Sequence, residues 1–227
     1  MKINGSIALV TGGNRGIGEQ FVKALLDRGA AKVYAAARDP RKVTVPGAVP
    51  LRLDITDPES VRAAAEQAGD VTLLINNAGI STGASLLEGS RESFLREYET
   101  HVLGTLEMSR AFAPVLARNG GGGLLNVLSV LSWATLPGSA AYSAAKSAQW
   151  SVTNALRIAL AEQGTQVTGL HVGYVDTDLT AGIDAPKSDP ADVARTALDG
   201  FESGLTEVLA DALSQSVKSA LSLPPAA

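Results

Sequence analysis

Ile7-Ala8-Leu9-Val10-Thr11-Gly12-Gly13-Asn14-Arg15-Gly16-Ile17-Gly18 decides the fold: a short apolar run passes through glycines at 12, 16 and 18 into a helix-period segment. The spacing predicts a strand, a tight turn and a helix. In such a turn Gly12 permits the sharp bend, Gly16 lets a pyrophosphate approach the backbone and Gly18 allows close helix-to-strand packing. The free N–H groups and partial positive charge of the following helix then attract phosphate. Asn14, Arg15 and Ile17 complete this phosphate-binding turn. The alternative is an ordinary glycine-rich loop, since one such motif alone is weak.

Outward from this unit, apolar β-branched runs alternate with helix-period segments. Strands are expected at about 6–11, 31–37, 49–53, 71–76, 123–129, 166–172 and 206–210. Helices are expected near 16–29, 57–68, 90–118, 139–163, 190–203 and 211–221. Runs such as Thr72-Leu73-Leu74-Ile75 lack the alternation of a half-solvated strand, as expected where helices cover both faces. The expected fold is α/β, a doubly wound parallel sheet (Rossmann fold) of about seven strands. Residues 1–222 form its single domain, 178–190 a substrate lid, and 223–227 a frayed tail.

Composition narrows the function classes. With 45% hydrophobic and 19% charged residues, the 227-residue chain is neither disordered nor fibrous. A net charge of −4 leaves no broad basic field for nucleic acid or anionic lipid. No cysteine and only two histidines exclude a disulfide framework, a thiolate nucleophile and a Cys- or His-rich metal site. No run approaches the ~20 apolar residues that span a bilayer, and no signal peptide is recognisable. A cytoplasmic protein without a membrane partner is expected.

Dinucleotide choice is read at the end of the second strand, Ala35-Ala36-Ala37-Arg38-Asp39. A carboxylate there would bind a ribose 2′-hydroxyl, whereas an arginine would accept a 2′-phosphate. Arg38 together with Arg15 offers two guanidiniums to one phosphate, which favours NADP(H). NAD(H), with Asp39 on the ribose, is the alternative.

Tyr142 and Lys146 in YSAAK, residues 142–146, are four apart and share a helix face. A nearby ammonium is expected to lower the tyrosine pKa and make a general acid or base. Ser129 lies thirteen positions upstream, at the C-terminal end of a central strand, where open α/β sheets place their ligands.

With these residues assembled, the sequence resembles the short-chain dehydrogenase/reductase (SDR) family over nearly its whole length. TGGNRGIG at 11–18, Leu53-Asp54, NNAG at 76–79, Ser129, YSAAK at 142–146 and GYVDTDL at 173–179 carry the resemblance. It implies that Tyr142 exchanges a proton with a carbonyl oxygen that Ser129 hydrogen-bonds. Lys146 would bind the nicotinamide ribose and tune Tyr142. Asp54 would contact the adenine, Asn77 and Gly79 would line the cofactor, and Thr177 would hold the carboxamide. Ile55, Ala78, Gly173 and Val175 complete the implied cofactor site. From the residues alone, Asp54 reads equally as a turn residue and Thr177 as a helix cap.

This chain departs from the family pattern in three places. The family has a helix asparagine whose backbone holds a water connecting the lysine to solvent; here His101 stands in Glu99-Thr100-His101-Val102-Leu103-Gly104. His101 is expected to keep a weakened proton relay, with plain packing as the alternative. Val172-Gly173 replaces Pro-Gly. The second crossover helix is stunted, and a helix over 211–221 replaces the family's C-terminal ending.

The substrate pocket is expected from Leu131, Trp133, Leu136, Tyr174, Leu179 and Ile183, with Ile80 and Leu86 nearby. Its apolar walls suit a ketone or aldehyde better than a sugar or charged acid. Leu179 to Ser188 reads as a mobile lid, and His171 as a buried packing residue. Trp150 is either an interface anchor of a homodimer or homotetramer, or core. The expected function is an NADP(H)-dependent carbonyl reductase/alcohol dehydrogenase with a small-molecule carbonyl or alcohol substrate. The alternative is a catalytically silent dinucleotide-binding sensor or scaffold. A sugar-nucleotide epimerase or dehydratase would need a C-terminal substrate domain, and only 55 residues follow Val172.

Overall fold

The computed structural model describes residues 1–223; the expected frayed tail, from Pro224 on, lies outside the described residues. Seven strands form one sheet: β1 (Ile7–Thr11), β2 (Lys32–Ala37), β3 (Val49–Arg52), β4 (Leu73–Asn76), β5 (Gly123–Val127), β6 (Gln166–His171) and β7 (Glu207–Leu209). All pairings are parallel, in the order β3-β2-β1-β4-β5-β6-β7. The chain reverses its direction of winding between β1 and β4, the crevice where doubly wound sheets bind ligands. This is a single Rossmann-like domain.

Helices α1 (Gly16–Asp27) and α6 (Pro190–Glu202) cover one face, and α2 (Pro58–Gln67), α4 (Thr105–Arg118) and α5 (Ala140–Ala159) cover the other. Parallel strands need this double cover, and β4 and β5 are buried at every residue. One core joins Val10, Phe21, Ile75, Leu170 and Phe201; the second joins Leu9, Leu74, Met108, Phe112 and Leu124. The starts follow local chemistry. Asp57 and Asp189 accept hydrogen bonds from first-turn N–H groups, and Pro58 and Pro190 occupy the first helical position. Between β2 and β3 only a 3-10 turn, Pro40–Lys42, remains of the second crossover helix.

One helix was expected over 90–118; the chain forms two. Helix α3 (Arg91–Tyr98) runs into a π-helical turn, Glu99–Gly104, before α4 begins. The helix presses close to the loop after β3: a Cβ on Gly104 would meet Ile55 Cδ1 at 2.9 Å and Ile55 O at 3.2 Å. The wide turn brings Thr100, His101 and Val102 into the interior. Such turns recur at functional sites. The last helix, α7 (Ala212–Ser219), is shorter than the 211–221 expectation. Among the described residues no helix is long and apolar enough to cross a membrane.

Candidate active site at the strand ends

The glycine turn has the form its sequence requires. Gly12 and Gly16 take φ of +65° and +54°, conformations that L side chains rarely adopt. A Cβ on Gly18 would stand 2.1 Å from the Gly12 carbonyl oxygen, so α1 reaches the turn only through glycine. Arg15 occupies the N-cap of α1 without making a side-chain cap, which leaves the first N–H groups of the helix uncapped by a side chain. Asn14 is partly buried in the turn, and Ile17 packs on the α1 core.

Across the crevice, the Thr11 hydroxyl accepts from the backbone N–H of both Asn77 and Ala78 at 2.9 Å, and Asn77 Nδ2 donates to Thr11 O at 2.9 Å. Thr177 closes the third side: a Cβ on Gly16 would lie 3.3 Å from its Cγ2. It sits at the N-cap of the turn Asp178–Thr180. Val175 is buried and pairs with Ser188, while the Gly173 N–H donates to Asp211 Oδ2 at 2.6 Å. Thus Gly12, Gly16, Gly18, Asn77, Ala78 and Thr177 converge on one crevice.

At the β2 and β3 ends, Arg38 is exposed and Asp54 accepts from Thr56 N and Oγ1 at 3.0 and 2.7 Å. Burial raises the Asp54 carboxyl, but Thr56 and the nearby Arg38 charge leave it lowered. Asp39 is engaged by Arg41, which donates from Nε at 2.9 Å and Nη2 at 3.1 Å; this pair holds the carboxyl low. Arg15 reaches Asp178 at 3.0 Å across the mouth of the crevice. Ile55 is spent on Gly104.

Ser129, two residues beyond β5, caps the 3-10 turn Val130–Ser132 and is buried. Tyr142 and Lys146 project from the first turns of α5. Lys146 is buried, its Nζ donating to Val127 O and Gln149 Oε1, both at 2.9 Å. Burial lowers Lys146 to about 7, against a supporting carboxylate charge from Glu97. The expected lowering of Tyr142 by Lys146 is not what the geometry gives. Nζ stands 5.5 Å from the Tyr142 ring centroid and gives two of its hydrogens to Val127 O and Gln149 Oε1. Burial instead pushes the phenol well above its usual range, with the Ser129 hydroxyl pulling part of the way back. Tyr142 is therefore held as a neutral phenol.

His101 is buried beside this pair, its ring edge-on to Tyr142 with centroids 5.2 Å apart. Glu97, also fully buried, lies 3.2 Å from His101 Nε2. Sequence reasoning missed Glu97 and Gln149, although the first stands four residues before His101 and the second three after Lys146, both helical spacings.

The expected pocket residues divide. Leu131 is buried, Tyr174 and Ile183 are partly buried, and Leu136 and Leu179 are exposed. Trp133 is drawn away: its indole stacks on His171 at 3.7 Å, and Lys218 of α7 sits 4.6 Å from its ring centroid. Trp150 joins the same cluster, donating to Glu207 Oε1 at 3.0 Å and lying edge-on to Trp133. His171 is fully buried, as expected.

Known proteins share this architecture. The sequence model described as short chain dehydrogenase matches residues 6–188. A short chain dehydrogenase from Burkholderia cenocepacia, solved in complex with NADP, aligns with a TM-score of 0.94 at 39% identity, covering 98% of this chain and 95% of that one. A 3-ketoacyl-(acyl-carrier-protein) reductase from Brucella melitensis, complexed with NADH, gives a TM-score of 0.84 at 29% identity over 92% of this chain and 97% of that one. The sorbitol dehydrogenase of Cereibacter sphaeroides is 34% identical over 207 residues, 86% of this chain and 80% of that protein. With its doubly wound sheet, its glycine turn and a match spanning most of its length, the chain belongs to the short-chain dehydrogenase family of oxidoreductases.

Proposed function

We propose that this protein is an NADP(H)-dependent carbonyl reductase, reversible as an alcohol dehydrogenase, acting on an apolar ketone or aldehyde. One observation carries the reading: Ser129, Tyr142 and Lys146 meet at the C-terminal strand ends, with Tyr142 held as a neutral phenol by burial. The crevice fits a dinucleotide, because Gly18 lets α1 start directly against the glycine turn and the α1 N-terminus carries no side-chain cap. Gly12, Gly16, Asn77 and Thr177 would hold the dinucleotide, and Asp54 would take its adenine end. When bound, its nicotinamide supplies or accepts a hydride.

Tyr142 gives its hydroxyl proton to the carbonyl oxygen during reduction and takes it back in oxidation. Ser129 donates a hydrogen bond to the same oxygen, where negative charge develops. Lys146, lowered to about 7 by burial, would bind the nicotinamide ribose and place its charge beside Tyr142. Engagement of Asp39 by Arg41, with Arg38 exposed beside it, supports the phosphate-bearing cofactor over its counterpart. Leu131, Tyr174 and Ile183 supply an apolar substrate side.

Purified protein is assayed for NADPH and NADH consumption across apolar ketones and aldehydes, with Tyr142→Phe alongside. Turnover that is faster with NADPH and disappears in the variant is expected. Full activity in Tyr142→Phe would remove Tyr142 from the chemistry, and equal rates with both cofactors would remove the phosphate preference.

A further inference from the structure

Two buried groups next to Tyr142 have no part in the chemistry just described. Glu97 lies on α3 with no solvent exposure, and His101 lies one turn later in the π-helical segment, also buried. A buried carboxylate persists only when compensated. Glu97 Oε1 accepts from the Thr82 N–H at 2.6 Å, and Oε2 faces His101 Nε2 at 3.2 Å.

The surroundings of the imidazole fix where its proton sits. Nε2 faces two oxygens, Ile80 O at 2.9 Å and Glu97 Oε2 at 3.2 Å, both nearer than the Ile80 backbone N at 3.5 Å. A bare nitrogen would set its lone pair against both, so Nε2 carries the hydrogen. Burial, and next the charge of Lys146, hold the ring below its usual pKa, so at neutral pH it has a single proton. Nδ1 is therefore bare. It is buried, has no hydrogen-bond partner, and lies on the ring edge facing Gly79, where an added Cβ would meet Cε1 at 2.8 Å and Nδ1 at 3.5 Å.

We propose that Glu97 is a positioning residue for the reaction: it holds the His101 ring as its Nε2–H tautomer, edge-on to Tyr142, and so keeps a bare Nδ1 acceptor inside the site. This rests on the reading of Tyr142 as general acid and base. The ionisable groups around the ring are Glu97 from α3 and Tyr142 and Lys146 from α5, while the loop after β4 contributes only backbone from Ile80. The Glu97 charge also holds up the pKa of both Lys146 and Tyr142. Its loss therefore moves the pH limb that they set toward lower pH.

The decisive measurement is the imidazole 15N spectrum. With only two histidines in the chain, His171→Gln assigns the remaining ring to His101. The expected result at pH 7 is a neutral Nε2–H tautomer. An Nδ1–H tautomer or an imidazolium in the unsubstituted protein would overturn the proposal. In Glu97→Gln the tautomer should become mixed and kcat with NADPH and the best carbonyl of the panel should fall about tenfold at nearly constant KM. The pH profile should move down. An unchanged tautomer, kcat and profile would also overturn it. Should Glu97→Gln not fold, His101→Gln replaces it: its amide nitrogen matches the reach of the imidazole Nε2 toward Ile80 O but leaves no Nδ1, so a stable variant with lowered kcat and a moved limb is expected, and an unmoved profile counts against the proposal. Tyr142→Phe separates the two readings. If that variant stays active, the acid–base reading fails; if it is dead while the tautomer is wrong, only the role of Glu97 fails.

Discussion

Nζ of Lys146 donates to Oε1 of Gln149, and Gln149 Nε2 donates onward to the Thr105 hydroxyl at 2.8 Å, a buried chain that ties α5 to the start of α4. Gln149 therefore shares with Val127 O the task of accepting from the only buried lysine of the site. In Gln149→Leu the ammonium keeps one acceptor. The variant should lose about 1–3 kcal/mol of stability, and Lys146 should titrate below its present value of about 7. Since Lys146 then loses its proton earlier, the corresponding limb of the kcat profile moves to lower pH. Thermal denaturation and a pH–rate series check both parts; a profile superimposable on that of the parent would reduce Gln149 to filler.

A methyl group is expected to be intolerable at one glycine of the chain and harmless at another. On Gly18 a Cβ would lie 2.1 Å from Gly12 O and 2.5 Å from Asn77 Nδ2, both in the crevice wall, whereas on Gly182 it meets nothing within 4 Å. Gly18→Ala must shift α1 or the glycine turn, so it should lower the melting temperature by several degrees and abolish tight NADPH binding. Gly182→Ala should match the parent in both. Calorimetric titration with NADPH reads the difference, and unimpaired binding by Gly18→Ala would remove the turn from the cofactor site.

Cofactor choice follows from which charges are already engaged. Asp39 is held by Arg41, while Arg38 is exposed beside Asp54 and Arg15 is paired with the exposed Asp178. Arg38→Ala should weaken NADPH about tenfold or more, the loss of a charge-assisted contact to phosphate, and leave NADH nearly unchanged. Dissociation constants from the quenching of tryptophan fluorescence decide it. Equal loss for both dinucleotides would assign Arg38 to the shared part of the molecule.

How far the sequence carried differs from place to place for physical reasons. Each strand was legible because apolar runs such as Leu73-Leu74-Ile75, closed by turn residues, have few alternatives in a sheet covered on both faces. The glycine turn was legible because Gly12, Gly16 and Gly18 answer to backbone conformation and contact, which are local. The π-helical turn at Glu99–Gly104 was not, since an inserted residue leaves the apolar period nearly intact and the Ile55 loop packed against Gly104 is distant in sequence. Trp133 was misplaced for a similar reason. Its partners His171, Trp150 and Lys218 lie on three other elements, and only the tertiary fold stacks them. The upward shift of Tyr142 likewise depends on burial, which the four-residue spacing to Lys146 does not encode.

His171 gives the last prediction. Its ring stacks on Trp133, Nδ1 lies 3.2 Å from Ser129 O and Nε2 3.4 Å from Glu207 Oε1. Burial lowers its pKa to about 4, with Ser129 and Glu207 opposing only in part. The unfolded chain takes up this proton near pH 6.5 and the folded protein does not, so the stabilisation from the neutral ring is complete above pH 6.5 and is lost as the pH falls toward 4. The full loss is about 3 kcal/mol at ~1.4 kcal/mol per pKa unit. His171→Gln removes this contribution, so its stability should fall less steeply than that of the parent between pH 6.5 and 4. Some slope must remain, because His101 is lowered in the same sense. Urea denaturation at intervals across that range gives the two curves. Parallel curves would mean that the His171 proton is bound equally in the folded and unfolded chains, and that the ring beneath Ser129 is held by stacking alone.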